Sequence, residues 1–468
     1  MINLHQKSLD YRDINLDTFL SNLQGNILKG HGRDNTVHIL VTFKADKINE
    51  AKAWIKTFAN EKLTTFKEQL RQRELFKRNQ KPGALFASIY FTQSFYKYLG
   101  KDIKVFEDTF QKGMKNKIDL FDPPVTDWEP EYDQEIHAMI LLGHGDISEL
   151  GEASATIIEE LENEKHPELS IANIVTLEYG SAIRNASGDG LEHFGYVDGI
   201  SQPLFLKDEV DKYNTDNLAP LHFDPAAELD LVLLKDPHTS SDDCCGSYFV
   251  YRKLEQHVRG FKEAEKILAK NLDLEDEDKE RAGAMIIGRF EDGTPVTLNG
   301  TDKMIASGVM NNFNYTESIG GHDDSHGERC PFHGHIRKAN PRRDNADKKH
   351  IMARRGIPYG HRNVSTTIEQ TFVQMPERGV GLLFMSFQKS IANQFEFIQK
   401  NWVNKTGFPK QTTGIDDVIG QGTGSRKGHY AKVYNDKTTL KDPAFPNFVN
   451  LKGGEYFFAP SIPFLKSL

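Results

Sequence analysis

Between positions 37 and 179 one pattern runs twice, and that repetition limits the folds open to the chain. Residues 37–43 (VHILVTF) are rich in β-branched and aromatic side chains and read as a buried strand. Ile48, Ala51, Trp54, Ile55 and Phe58 then recur at helical spacing, which predicts one amphipathic helix over 46–73. Residues 83–91 (GALFASIYF) read as a second strand, followed by a short helix over 93–99. The order then returns: strand 135–142, helix 147–161, strand 171–179. Strand–helix–strand twice over predicts a split β-α-β unit of α+β class, with helices covering one sheet face.

A second unit follows. Residues 206–243 are acidic, contain proline and histidine, and lack periodicity, so they read as a linker or insertion. After it come a strand over 247–254 (SYFVYRKL) and a helix over 256–271. The charged run LDLEDEDKERAG is expected to be solvated. A strand over 380–388 and a helix over 391–403 complete the unit. The expected organisation is an internal duplication: an N-terminal domain over 1–205, a linker over 206–246 and a C-terminal domain over 247–468.

Composition excludes several classes of partner. A net charge of −9 argues against nucleic acid and anionic membranes, which need a positive surface. No run of about twenty apolar residues is present. The first twenty residues lack the basic start and apolar core of a secretory signal. Three cysteines, two of them adjacent at Cys244 and Cys245, cannot build a disulfide framework. A cytoplasmic location is expected, with no nucleic-acid and no membrane partner.

Chemistry concentrates in residues 328–359 (ERCPFHGHIRKANPRRDNADKKHIMARRGIPY). Arginine and histidine this dense need solvent, an anion or a metal. His322, His326, His333 and His335 lie within fourteen positions of one another, beside Asp323, Asp324, Glu328 and Cys330. Imidazole is the commonest transition-metal ligand, so a metal site competes with a plain polar loop. C-x-x-H-x-H is not a usual structural-zinc spacing, and the C-x-x-C-H of covalently attached haem is absent. Two further segments bear on the choice. FGYVDGISQP sets Asp198 among glycines that let backbone approach a flat ligand closely, although a turn aspartate bonding its own backbone reads equally well. ARRGIPYG puts Arg354 and Arg355 directly before a proline turn.

FGYVDGISQP, CPFHGHIRKANPR and ARRGIPYG, in that order, resemble the dye-decolorising peroxidases, and the likeness extends to LQGNILKGHGR, GSYFVYRKLEQ, GRFEDGTP and GGEYFFAPSI. The resemblance runs from about residue 20 to the C-terminus and looks like the large intracellular members. It implies two ferredoxin-like halves with antiparallel sheets packed together, and non-covalent haem b beside the C-terminal half. By motif, His335 matches the proximal iron ligand, with His333 and Cys330 as neighbouring alternatives. Asp198 matches the distal carboxylate and Arg354 the distal arginine, with Arg355 one position away. Leu382 and Phe384 match the apolar pair over the distal side, and strand alternation sends both to one face. Asp416, or its neighbour Asp417, is the candidate acid behind the histidine. Arg342 and Arg337 are candidates for the haem propionates. His333 stands where the family often has a small or apolar residue.

The implied activity is reduction of hydrogen peroxide with one-electron oxidation of organic donors such as anthraquinone dyes and phenols. Asp198 would move a proton between the peroxide oxygens, and Arg354 would stabilise charge as the O–O bond breaks. An aspartate stays ionised at lower pH than an imidazole, so activity in acid is expected. Bulky donors are expected to deliver electrons at the surface, with Trp402, Tyr359 and Tyr196 as candidate relays, each of which also reads as a packing aromatic. Two readings compete: a non-catalytic haem carrier, and a metal hydrolase built on the histidine cluster.

Overall fold

The computed structural model describes residues 2–217, 220–302, 311–316, 323–362, 371–424, 426 and 428–468. The N-terminal half contains β1 (Asn35–Phe43), α1 (Ile48–Glu61), α2 (Phe66–Asn79), β2 (Phe86–Phe91), β3 (Ala138–His144), α3 (Ile147–Leu161) and β4 (Ala172–Ser181). The C-terminal half contains β5 (Cys245–Gln256), α4 (Val258–Asn271), α5 (Glu280–Ile287), α6 (His335–Ala339), β6 (Ala353–Arg354), β7 (Ile357–Tyr359), β8 (Gly381–Gln388) and β9 (Val449–Ala459).

Within the first half the strands lie in the order β2-β3-β1-β4, and the second half repeats it as β7-β8-β5-β9. This is the ferredoxin-like order in each, all antiparallel. The halves join edge to edge: Tyr359 of β7 pairs with Gly180 of β4, and Phe458 of β9 with Phe91 of β2. The ring therefore closes, and the sheets share one interior. Closure removes the free edges that would otherwise template aggregation. Phe249 and Tyr251 of β5 and Leu383 and Phe387 of β8 are 0% exposed inside this core. Each such side chain contributes roughly 1.5–3 kcal/mol of burial.

The predicted 46–73 helix is two helices. Thr64 donates its amide to Ala87 O at 2.8 Å and its Oγ1 accepts from the Ala87 amide at 3.1 Å, which draws the chain onto β2. Thr65 then caps α2, its side chain accepting from the Glu68 amide at 3.0 Å. The 206–246 connection is packed rather than loose: Leu206, Leu229, Val232 and Leu233 are all 0% exposed, and Lys207–Asp216 is a helix. The solvated run ends earlier than expected, because α5 buries all but its first residue, including Arg281, which bonds Asp278 and Lys432 O. The predicted 391–403 helix is a short α-turn, Phe395–Phe397, running into a π-turn, Ile398–Val403. Among the described residues, no helix is long and apolar enough to cross a membrane.

Candidate active site

Alternation along β5 and β8 creates the site. Tyr251, Leu383 and Met385 point into the barrel, so Arg252, Leu254, Leu382 and Phe384 face outward. In register, Phe384 lies opposite Arg252 and Leu382 opposite Leu254, giving one apolar wall. α6, the end of α5, the π-turn and residues 418–421 cover that wall and enclose a cavity. His335, Asp198, Arg354, Leu382 and Phe384 all line it.

His335 opens α6 directly after Gly334. Its Nδ1 lies 3.0 Å from Asp416 Oδ2 and 3.3 Å from Oδ1. Asp416 is 0% exposed, and its Oδ1 also accepts the amides of Val418 at 2.9 Å and Ile419 at 2.8 Å. Burial opposes this carboxylate's charge, yet His335 and the two amides hold it below the usual range. In turn, burial disfavours the imidazolium, but Asp416 raises His335 above an ordinary imidazole. Nδ1 is thus committed to Asp416, and Nε2 has no protein hydrogen-bond partner among the described residues. That is the arrangement of an oriented metal-ligating imidazole.

The neighbouring candidates are spent elsewhere. His333 is 1% exposed; its Nδ1 meets Asp417 Oδ2 at 2.6 Å and its Nε2 accepts the His429 amide at 2.8 Å. Asp417 serves His333 and also accepts from Tyr430 Oη at 2.8 Å, so Asp416 alone backs His335. Cys330 is 1% exposed in the second core, where burial pushes its thiol up to about 12. His326 is exposed and meets Ser325 Oγ, and His322 lies outside the described residues. Among the described residues these histidines gather no set of three ligands.

Asp198 sits in a turn closed by Gly199, whose φ of +82° suits glycine, and its Oδ1 accepts the Gly199 amide at 2.6 Å. It is both the self-bonded turn residue and a cavity residue. Arg354 Nη2 stands 4.0 Å from Asp198 Oδ1. Arg355 points away from the pair and anchors the strand, with Nε donating to Asn26 O at 2.7 Å and Nη2 to Ile27 O at 2.8 Å. A second cavity lies beyond Asp198 and Arg354, bordered by Gly30, His31 and Gln202.

Two expected residues are not on the cavity. Arg337 is clamped to Asp324, through Nη1 at 3.1 Å to Oδ2 and Nη2 at 2.8 Å to the carbonyl, between the rings of Tyr315 and Phe332. Arg342 donates to Phe313 O at 2.7 Å and Ser201 Oγ at 2.7 Å, with Phe223 stacked 3.8 Å away. Their guanidiniums are used in building the loop, and neither lines the cavity. Arg289 does line it, and sequence reasoning missed it, although its motif GRFEDGTP was one of the landmarks. Burial and the nearby Arg342 push its guanidinium down to about 9. Arg252 is committed to Asp122. Of the aromatic candidates, Tyr196 lines the cavity, whereas Trp402 and Tyr359 do not.

Known proteins are similar to this chain in sequence and in fold. Residues 22–180 match the DyP dimeric alpha+beta barrel domain and residues 224–417 the C-terminal domain of Dyp-type peroxidases. The multifunctional dye peroxidase DyP2 of Amycolatopsis sp. is 39% identical over 465 residues, 96% of each chain. Its solved structure superposes with a TM-score of 0.90, at 37% identity, covering 99% of this chain and 100% of that one. A DyP-type peroxidase of Anabaena sp. gives 0.88 at 38% identity, covering 98% and 97%. A dye-decolorizing peroxidase in complex with 2,6-dimethoxyphenol gives 0.75 at 25% identity, covering 96% and 98%. A full-length match in sequence, on a duplicated barrel with a histidine, an aspartate and an arginine around one cavity, places the chain in the dye-decolorising peroxidase family, as a peroxidase.

Proposed function

We propose that the cavity holds one haem b without covalent attachment and that the enzyme reduces hydrogen peroxide while oxidising small aromatic donors, phenols and anthraquinone dyes among them. The observation that carries the reading is His335, braced by Asp416, on the same apolar cavity as Asp198 and Arg354. The residues fit a porphyrin: an imidazole with Nε2 uncommitted, an apolar wall from Leu254, Leu382 and Phe384, and a buried guanidinium, Arg289, suited to a propionate. When bound, haem supplies the redox centre for peroxide reduction.

Asp198 takes a proton from one peroxide oxygen and returns it to the other, a task that needs its carboxylate in hydrogen-bond reach. Arg354, unlike Arg355 and Arg337, makes no side-chain hydrogen bond among the described residues, so its donors are available to charge developing on oxygen. Leu382 and Phe384 keep water from the reacting face. The second cavity beyond Asp198 gives peroxide a route to that residue. Cys244, Cys245 and Cys330 are free and buried, which supports a reducing, cytoplasmic compartment.

The test is the absorption spectrum of the purified protein, followed by peroxide-dependent oxidation of 2,6-dimethoxyphenol. A Soret band with turnover is expected. Asp198→Asn and Arg354→Leu should keep the band and lose roughly 10²–10⁴-fold in turnover. Full turnover in both variants would refute the roles, and a Soret band without any turnover would leave a haem carrier.

A further inference from the structure

Asp198 is carried by a turn, residues 192–196, that closes on a single side chain. Glu192 Oε2 accepts the Phe194 amide at 2.8 Å, and Oε1 accepts the Tyr196 amide at 2.9 Å. The backbone of the same residue closes the turn as well. Its carbonyl accepts the Gly195 amide at 3.0 Å, and its amide donates to Tyr196 O at 3.2 Å. Gly195, at φ +103°, makes the reversal. Leu191 then pairs with Val197, and the Asp198 amide donates to Gly190 O at 2.9 Å. Asp198 thus leaves the turn at a point that Glu192 fixes.

A turn this small can shift as a body, and a further contact sets where it lies. Gln256 of β5 donates through Nε2 to Glu192 Oε2, and both side chains line the cavity. Gln256 is buried on the same outward strand face as Arg252 and Leu254, so Glu192 ties the turn to the wall of the site. Burial pushes the Glu192 carboxyl up to about 7, although the two amides and Gln256 favour its anion, and the charge of Asp198 adds to the rise. Exposed turns close on serine or asparagine without such a cost. At Asp198 itself little fixes the side chain. It is 44% exposed, its Oδ1 accepts the adjacent Gly199 amide, and Arg354 stands 4.0 Å away. The direction of its carboxylate therefore follows from the backbone that Glu192 shapes.

We propose that Glu192 is a positioning residue for the peroxide step: its carboxylate sets the turn against β5 so that Asp198 faces the cavity within reach of peroxide. Glu192 acts through Asp198 and makes no contact with peroxide. This role rests on the peroxidase reading above; the shaping of the turn does not. Proton transfer needs its base within hydrogen-bond reach, and a misplacement of about 1 Å costs on the order of 100-fold.

The experiment uses the haem-loaded protein. Stopped-flow absorbance at the Soret band gives the second-order constant for peroxide, and steady-state turnover gives kcat/KM for 2,6-dimethoxyphenol. Amide hydrogen exchange of the peptide spanning residues 190–200 reads the turn without any turnover. Glu192→Leu should speed that exchange, lower the peroxide constant about 100-fold and leave kcat/KM for dimethoxyphenol unchanged. Glu192→Gln, which keeps one accepting oxygen, should lose about tenfold, the worth of one hydrogen bond. In an Asp198→Asn background neither substitution should lower the peroxide constant by more than about twofold further. A residue that only stabilises the fold would instead lower haem content and melting temperature, with the same effect in both backgrounds. Equal losses with and without Asp198→Asn overturn the proposal. So does an unchanged peroxide constant in both Glu192 variants, or unchanged exchange in Glu192→Leu. If Glu192→Leu takes up no haem, Glu192→Gln carries the same comparison. If wild type shows no Soret change with peroxide, the peroxidase reading has failed and the positioning role with it, while hydrogen exchange still decides whether Glu192 shapes the turn.

Discussion

His333 and His335 are two positions apart, each bonded to one of two adjacent aspartates, yet they differ in what they can do. The His333–Asp417 pair is closed: its side chains are 2% and 1% exposed, Tyr430 donates to the same carboxylate, and the second imidazole nitrogen takes a backbone amide. The His335–Asp416 pair is open at one end. Its aspartate is equally buried, but the imidazole is 29% exposed and presents its second nitrogen to the cavity. Both pairs have an oriented ring; only the open one can ligate. The closed pair ties α6's approach to residues 417 and 429–430, and so holds its neighbour in place.

The comparison can be broken at either aspartate. Asp417→Asn removes the charge from the bond that holds His333, and equilibrium unfolding should show a loss of about 1.5–3 kcal/mol. The Soret position should not move. Asp416→Asn should do the opposite: haem stays, turnover falls about 10–100-fold, and the midpoint potential rises because the imidazole donates less. Equal loss of stability with no change in potential would mean that the two pairs are equivalent. Tyr430→Phe removes one hydrogen bond from the closed pair and should cost about 1 kcal/mol in urea unfolding, with turnover unchanged.

The smallest expected effect concerns Glu192, which lines this cavity together with Asp198 and accepts the Phe194 amide at 2.8 Å and the Tyr196 amide at 2.9 Å. Burial pushes it up to about 7, in contrast to Asp416. A raised carboxyl binds a proton in the folded state that the unfolded chain has released. Its contribution to stability is therefore complete below the unfolded value of about 4.3 and is lost as pH rises through 7. Thermal unfolding of wild type and Glu192→Gln across that window should converge toward acid and diverge toward neutrality, in favour of the variant. Parallel curves would show that Glu192 is not shifted.

Much of the first half was legible because its strands and helices carry their own periodicity. The strands that close the ring were not. β6 and β7 are short, split at Arg355–Gly356, and contain Pro358, while β9 is interrupted by Gly453 and Gly454. Such residues weaken a strand signal, and only pairing with distant partners stabilises them. Where a motif fixes a residue, as at Asp198, His335 and Arg354, the fold does bring those residues to one cavity. Arg337 and Arg342, expected at the propionates, do not line the cavity, because proximity in sequence to His335 says nothing about which carbonyls and carboxylates will engage a guanidinium.

In the haem reading His335 is the ligand and His333 its brace. The direct measurement is haem uptake by His335→Gly and His333→Gly, followed by the Soret band with and without added imidazole. His335→Gly should give no native band until imidazole is supplied, and then recover it; His333→Gly should bind haem unaided, with lower stability. Unaided binding by His335→Gly, or imidazole rescue of His333→Gly alone, would contradict it.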